Sequence, residues 1–510
     1  MAAEPTTSIS GKVLRGGAWL AAAQISVTLL SLGSTIVLAR LLVPEDFGLT
    51  AIAITIMALL TAVSEMALHQ ALIRHPAPQR EHFDTAFTLN MLRGAFMSAA
   101  LVLTSGPVSL FFEDLRLQPI LCVFAASLLV LSAANPRRAI LQRKLVYWQE
   151  IAFSSGAKIA MVVVSVSAAL YWQSYWAIVA GLVASHVASF VISYLAFPYL
   201  PRFRLTKVRE LLSFSVWLTL GNLVDQLNWR FDILLIGRLL GATSTGFYSV
   251  GNNLATVPTR ELMTPVRQAL FPGFAKLIEK PGRLGAGYSR AQNAIMLVTL
   301  PVGVIASFMA EPGVLLLMGE KWQPIVFIIA WLAPIFALQS LGSLAPAIAM
   351  ATGDTRRLFV RSMQMLIVRM PLIIAGAVFG GLSGLVYARC LSGIVGIGFN
   401  IYIVRELAGV SMLRQIRSAA RPGAAAGMMA LALLALQNVP IGLVGAEGHA
   451  VRIALTAVVG AATYLCSVFV LWLVAGRPDG GETEIMGHAH TALRKILPGN
   501  KTAIERTELE

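Results

Sequence analysis

The run NLVDQLNWRFDILLIGR, residues 222–238, sets two carboxylates, two arginines and three amides into a stretch otherwise apolar enough to cross a bilayer. At about 100° per residue, Asp225, Asn228 and Asp232 fall within an arc of about 60°, with Gln226 and Arg230 on a neighbouring one. The next apolar run places Asn252, Thr256, Thr259, Arg260 and Arg267 along one broad stripe, and Pro258 and Pro265 interrupt its helical hydrogen bonding. Broken backbone at membrane depth is tolerated where it lines a cavity or is buried in protein. Glu65, Arg93, Lys158, Glu261, Arg369 and Arg389 complete the intramembrane charges. Each costs at least ~2.5–3.5 kcal/mol at a span centre, so a paired or functional role is the expectation.

The chemistry this set supports is ion recognition rather than bond making. Seven cations (Arg93, Lys158, Arg230, Arg260, Arg267, Arg369 and Arg389) face four anions (Glu65, Asp225, Asp232 and Glu261), an excess of three positive charges. Such a balance suits a substrate with two or more negative charges, and the rigid guanidinium fork suits phosphate. Candidate cavity residues are Arg230, Arg260, Arg267, Arg369, Asn228 and Asn252; Asp225, Asp232, Glu65 and Glu261 are candidates for carrying a coupling proton or sodium ion. The bland alternatives stand beside these. Arg230 can pair with Asp225 or Asp232 as a fold-specifying ion pair, and Arg93, Lys158, Arg389 and Glu65 lie near enough to span ends to snorkel. No phosphate-cradling glycine loop, nucleophile elbow or paired external carboxylates accompany them, so neither catalysis nor a bound cofactor is expected. Cys122, Cys390 and Cys466 each stand alone in a span and read as buried small hydrophobes, and His69, His75 and His82 lack metal-ligand spacing.

The elements that must hold these residues are about fourteen apolar spans of some twenty residues each, an all-α integral membrane fold. They are expected near 17–39, 47–70, 84–105, 117–134, 150–170, 175–197, 212–238, 247–272, 290–310, 324–350, 358–379, 382–404, 423–444 and 453–475. Alternate turns carry 28 basic residues on one side and 5 on the other, the latter being Arg40, Arg116, Arg238, Lys321 and Arg452. The positive-inside rule then makes both termini cytoplasmic. The net charge of +15 is thereby assigned to turns against an anionic leaflet, and nucleic-acid binding is excluded. Basic residues alternate with apolar ones at 201–212 and 411–421, which predicts amphipathic helices on the cytoplasmic surface. The polar tail from 477 is expected to be flexible.

A shift of 198 residues aligns 17–48 with 215–246 without a gap, matching Trp19 to Trp217, Arg40 to Arg238 and Gly48 to Gly246. Six spans separate the copies, so the repeats are parallel. The expected organisation is a six-helix lobe over 1–200, a second over 201–410, two further helices over 411–476 and a cytoplasmic tail over 477–510.

The segments LRGGAWLAAAQISVTLLSLGSTIVLARLLVPEDFGL, NPRRAILQRKLVYWQE (135–150), the stretch 225–277, MGEKWQP (318–324) and ATGDTRRL (351–358) together resemble bacterial polysaccharide-biosynthesis flippases. These are members of the multidrug/oligosaccharidyl-lipid/polysaccharide superfamily, with a two-lobed MATE-like fold. The resemblance implies translocation of undecaprenyl-diphosphate-linked oligosaccharide across the inner membrane for exopolysaccharide, capsule or O-antigen synthesis, alongside a polymerase and export machinery. It implies a cationic central cavity lined by the first, second, seventh and eighth spans. Asp225, Arg230, Asp232 and Arg238 carry over at motif level, with Arg260 and Arg267 beside them. A MATE-type small-molecule antiporter and a peptidoglycan-precursor lipid flippase share this architecture and stand as alternatives. A membrane glycosyltransferase would need an external acidic loop that the short turns leave no room for.

Overall fold

Apolar runs in lipid must satisfy their own backbone N–H and C=O groups, and the described part of this chain does so with helices alone. The computed structural model describes residues 26–63, 68, 72, 78–138, 140, 147–196, 198–208, 216–278, 283–440, 443 and 445–476, with only the backbone course given over 147–152, 216–220 and 264–278 and at 63, 154, 283, 351 and 355. Glu65, the side chain of Arg267 and the tail from 477 thus lie outside the described residues.

The first lobe holds α1 (Ser26–Leu41), α2 (Pro44–Val63), α3 (Arg80–Phe111), α4 (Leu117–Ser132), α5 (Tyr147–Trp172) and α6 (Trp176–Ala196). The second holds α7 (Val216–Ile278), α8 (Arg283–Phe308), the short α9 (Ala310–Leu317), α10 (Pro324–Leu338), α11 (Ala345–Ala351) and α12 (Thr355–Ala408). Two further helices, α13 (Met412–Gln437) and α14 (Ala446–Val474), follow. Among the described residues, nine helices are long and apolar enough to cross a membrane, and three shorter apolar ones, α1, α4 and α10, accompany them. The protein is a multi-pass membrane protein.

Two of the long helices are hairpins. Gly241 in α7 has φ 80° and ψ 177°, and Gly381 in α12 has φ 56° and ψ −139°; lacking a Cβ, glycine takes such left-handed values at little cost. The fold-back in α7 brings the hydroxyl of Tyr248 to Asp232, 2.7 Å away although sixteen residues on, a separation of about 24 Å along a straight helix.

The internal repeat appears as a reciprocal contact between lobes. A Cβ on Gly48 would fall 1.7 Å from the carbonyl oxygen of Ala242, and one on Gly246 would fall 1.8 Å from that of Pro44. Gly48 corresponds to Gly246 and Pro44 to Ala242 under the same 198-residue shift, so the contact is self-complementary about a pseudo-two-fold axis. Close backbone approach through small residues is a usual way for helices to associate where lipid removes the hydrophobic drive.

Each lobe keeps its own packed centre. In the first, Leu49, Ile52, Leu101, Leu117, Ile120 and Phe124 are buried together; in the second, Trp322, Tyr248, Ile236, Ile328 and Val386 are. The C-terminal pair docks on the second lobe, where Tyr464 donates to the carbonyl of Leu297 (2.9 Å) and Gln415 to those of Ile401 and Val410 (3.0 and 2.9 Å).

Three expectations about elements are corrected. Residues 201–205 are not helical. This link instead lies on the first turns of α3, with the N–H groups of Arg202, Arg204 and Lys207 donating to Asp84, Thr88 and Thr85. The stretch 411–421 is no separate surface helix; it forms the opening turns of α13 because Gln415 is buried against the end of α12. The span at 324–350 is broken, since Gly342 with φ 83° unwinds 339–344 between α10 and α11. Gln292 holds the break by donating to the carbonyl of Ser340 (3.0 Å) and accepting from the N–H of Gly342 (3.1 Å).

Candidate functional site

Polar side chains in a span need somewhere other than lipid to point, and two cavities take them. The first lies between the lobes, about 470 Å³ in volume, walled by α1, α2, α5 and both arms of α7. Thr28, Ser31, Ser34, Thr35, Thr50 and Thr55 line the first-lobe wall, while Lys158, Arg230, Arg260 and Glu261 supply its charges. Arg230 does not pair with Asp232; its Nε donates to Gln226 Oε1 at 3.1 Å. Arg260 lies 3.4 Å from Glu261, its side chain more than half exposed. Lys158, expected to snorkel, faces this cavity with its Nζ 3.6 Å from the Met161 sulfur.

The second cavity, about 460 Å³, lies within the second lobe between α7, α10, α11 and α12. Asp225, Asn228, Arg260, Arg361, Arg369 and Arg389 line it together with the unwound segment 339–343. Arg260 belongs to both cavities. Non-helical backbone beside a polar cavity is where membrane depth permits it.

Behind its wall lies a buried ion cluster. Asp232 Oδ2 receives hydrogen bonds from Arg369 Nη2 at 2.6 Å and the Tyr248 hydroxyl at 2.7 Å, and Arg389 Nε stands in ion-pair range at 3.3 Å. All four side chains are almost wholly buried. Arg389, expected to snorkel at a span end, is thus held in the core because the Asp232 carboxylate sits there with it. Arg369 and Arg389 also lie over the Trp229 ring, 6.0 and 5.0 Å from its centroid.

The structure therefore divides the residues singled out from sequence. Arg230, Arg260 and Glu261 face the space between lobes; Asp225, Asn228, Arg260 and Arg369 face the second-lobe cavity; Asp232 is enclosed by guanidinium groups. Asn252 lines neither, and its neighbour Asn253 faces the inter-lobe cavity instead. Trp229, Gln339 and Asn400 were not singled out. Their signal was faint: single polar or aromatic residues in otherwise apolar runs, on α7, at the end of α10 and on α12.

On the charge-poor side, the lobes are clasped. Arg40 at the end of α1 donates to the carbonyls of Leu316 and Leu317 at the end of α9 (2.7 Å to Leu317). Lys321 returns bonds to the carbonyls of Arg40 and Leu42 (2.9 and 2.7 Å), and the Trp322 indole donates to Ala39 (2.8 Å). Arg238, the repeat partner of Arg40, pairs with Glu113 across the lobes at 2.8 Å. Burial, then the neighbouring Arg40, hold the Lys321 ammonium below the usual lysine range.

Comparison with known proteins places this geometry. Residues 37–327 match the family described as polysaccharide biosynthesis protein. The chain is similar to the lipopolysaccharide biosynthesis protein WzxC of Escherichia coli (strain K12), 25% identical over 420 residues, covering 81% of this chain and 85% of that one. It is also similar to the succinoglycan biosynthesis transport protein ExoT of Rhizobium meliloti (strain 1021), 23% identical over 439 residues, covering 84% and 87%. Among solved structures it shares the fold of the lipid II flippase MurJ in an inward closed conformation (TM-score 0.72, 12% identity, 90% of this chain and 100% of that one). An inward-facing MATE multidrug transporter is more distant (TM-score 0.58, 14% identity, 77% and 99%). With more than half its length matched by one family model, this chain belongs to the polysaccharide biosynthesis protein family.

Proposed function

We propose that this protein is a flippase that carries undecaprenyl-diphosphate-linked oligosaccharide repeat units across the bacterial inner membrane for exopolysaccharide, capsule or O-antigen assembly. The observation that carries this reading is the inter-lobe cavity, polar on the first-lobe wall and lined by Lys158, Arg230 and Arg260, at the junction of two pseudo-symmetric lobes. The relatives named for lipopolysaccharide biosynthesis and succinoglycan transport support it.

In this reading the basic turns face the cytoplasm, both termini with them, and the clasped side faces the periplasm. The diphosphate enters from the cytoplasmic leaflet and is neutralised by Arg230, Arg260 and Lys158, with bidentate guanidinium bonds supplying most of the recognition. The polyprenyl tail stays in lipid. Release follows when the clasp opens and the lobes part outward, the cargo favouring one state over the other by its differential contacts. Lobes over 1–200 and 201–410 act as the moving bodies, and a polymerase and export partner receive the cargo. Any ion coupling falls to Asp225 or Glu261, whose neighbourhoods open onto a cavity, rather than to Asp232, whose charge two buried guanidinium groups already neutralise.

The test is deletion of the gene in the native bacterium, followed by quantification of secreted polymer and of lipid-linked oligosaccharide on each membrane face. Loss of polymer with intermediates stranded on the cytoplasmic face is the expected result. Unchanged polymer without stranded intermediates rejects the reading.

A further inference from the structure

The second-lobe cavity is larger than the ion cluster behind it needs, and its walls are chemically unfinished. Asn228, 5% exposed, spends its amide N–H on the Ser362 carbonyl (2.8 Å), and its Oδ1 has no partner. Asn400 Oδ1, Gln339 Nε2 and Arg369 Nε have no hydrogen-bond partner either. All four residues line this one space. Buried polar groups left open in this way are costly unless water or a ligand completes them. Free acceptors and free donors thus share one cavity, a combination a polyol completes, since each sugar hydroxyl both gives and takes a hydrogen bond.

An aromatic face stands among them. Trp229 lines the cavity and is 50% exposed, although it lies in the middle of a span, with Phe336 tilted against it at 6.4 Å. The C–H face of a pyranose packs on such a ring while its hydroxyls reach the rim. The volume, about 460 Å³, falls within the range of roughly 300–1,000 Å³ for small-molecule sites. Charge narrows the class further. Arg260, Arg361, Arg369 and Arg389 are set against Asp225 on the wall, Asp232 behind it and Glu261 beside Arg260. One guanidinium charge remains over, and a neutral sugar would leave it unmatched.

We propose that the second-lobe cavity is a subsite for an acidic pyranose, a sugar bearing a carboxylate, of the oligosaccharide cargo, with Trp229 as its stacking face and Asn228, Gln339 and Asn400 as its hydroxyl partners. This rests on the flippase reading for the source of the sugar. Arg260, common to both cavities, sits where a head group held between the lobes passes its sugar inward. Gly393 serves the same space: a Cβ there would fall 2.2 Å from Gln339 Nε2, displacing that donor.

The test uses the full-length protein in lipid nanodiscs and tryptophan fluorescence, titrated separately with sodium glucuronate, glucose, sodium phosphate and sodium chloride. Glucuronate should change the emission at concentrations where glucose does not, and Trp229→Phe should remove the change. Asn400→Ala should raise the half-saturating concentration by roughly three- to tenfold, the worth of one hydrogen bond. Asn400→Asp, nearly isosteric but negative, should abolish the response, and an unchanged elution profile and melting temperature establish that both variants fold. Equal responses to glucose and glucuronate overturn the acidic assignment. A response to phosphate or chloride that matches glucuronate and ignores Asn400 shows an inorganic anion site and overturns the sugar subsite, as does no response at all. Because the probe is a free monosaccharide, these outcomes are independent of polymer export; failure of the flippase reading would appear in the deletion strain with glucuronate binding intact.

Discussion

Arg369 and Asp232, 137 residues apart in the chain, meet at 2.6 Å with almost no exposed surface. The pair joins the two hairpins of the second lobe, since Asp232 lies on α7 and Arg369 on α12. Removing one partner leaves the other buried and uncompensated, a loss of about 3–5 kcal/mol. Asp232→Ala should be the more severe change because it strands two guanidinium groups. Thermal unfolding of the detergent-purified protein checks this, and a melting temperature equal to that of the unsubstituted chain would rule the cluster out as a structural brace.

Alanine at Gly48 or Gly246 has to push the lobes apart on the clasped side, because the added methyl would overlap a backbone carbonyl rather than a flexible side chain. Overpacking costs about 1–3 kcal/mol, and here it falls on the closed arrangement. In a background lacking Cys122, Cys390 and Cys466, a cysteine at Thr50, which lines the inter-lobe cavity, should react faster with an impermeant maleimide applied from the periplasmic side when Gly48→Ala is present. Equal labelling would mean that the close approach does not control access.

Arg230→Ala and Arg260→Ala should each abolish polymer export while the protein still reaches the membrane at normal levels. Neither residue is enclosed, and Arg260 is more than half exposed, so its removal should shift unfolding by no more than about 0.5 kcal/mol. Export is read as secreted polymer in a deletion strain carrying the variant. Normal export would remove both from the diphosphate site.

Asp114, in the turn between α3 and α4, offers a pH test. Burial raises its carboxyl, but the hydrogen bonds and charge of Arg116 outweigh that and hold it below the ordinary value of 3.8. A depressed carboxyl contributes stability that is complete above the unfolded value and fades only as pH falls through the lower folded one. Asp114→Asn should therefore cost the same at pH 7 and pH 5, and less than ~1 kcal/mol because Arg116 is 43% exposed. A cost that halves between those pH values would contradict the assignment.

The repeat was legible because its landmarks are residues whose roles survive transfer between copies: Gly48 and Gly246 meet, and Arg40 and Arg238 each reach the opposite lobe. The polar face of 225–232 was legible from periodicity. Its partners were not, since hydropathy gives depth but not azimuth or neighbour, and nothing local marks Arg389 as lying 3.3 Å from Asp232. The break at Gly342 escaped for a related reason. Ser340 and Gly342 are ordinary in an apolar run, and the hydrogen bonds that hold the break come in part from Gln292, some fifty positions away. Likewise the link after 200 alternates like an amphipathic helix yet is drawn out along α3 by Asp84, Thr85 and Thr88.

The clasp between α1 and α9 is an exchange of terminal cations: Arg40, ending one helix, serves the last carbonyls of the other, and Lys321, following the second, serves those of the first. Every acceptor is main chain, and a helix C-terminus favours a cation whatever its side chains. Positions 316 and 317 are consequently free to drift among apolar residues without loosening the seam, whereas Ala39 and Leu42 are also fixed by burial. The polar sequence requirement of this joint is concentrated in three donors, Arg40, Lys321 and Trp322.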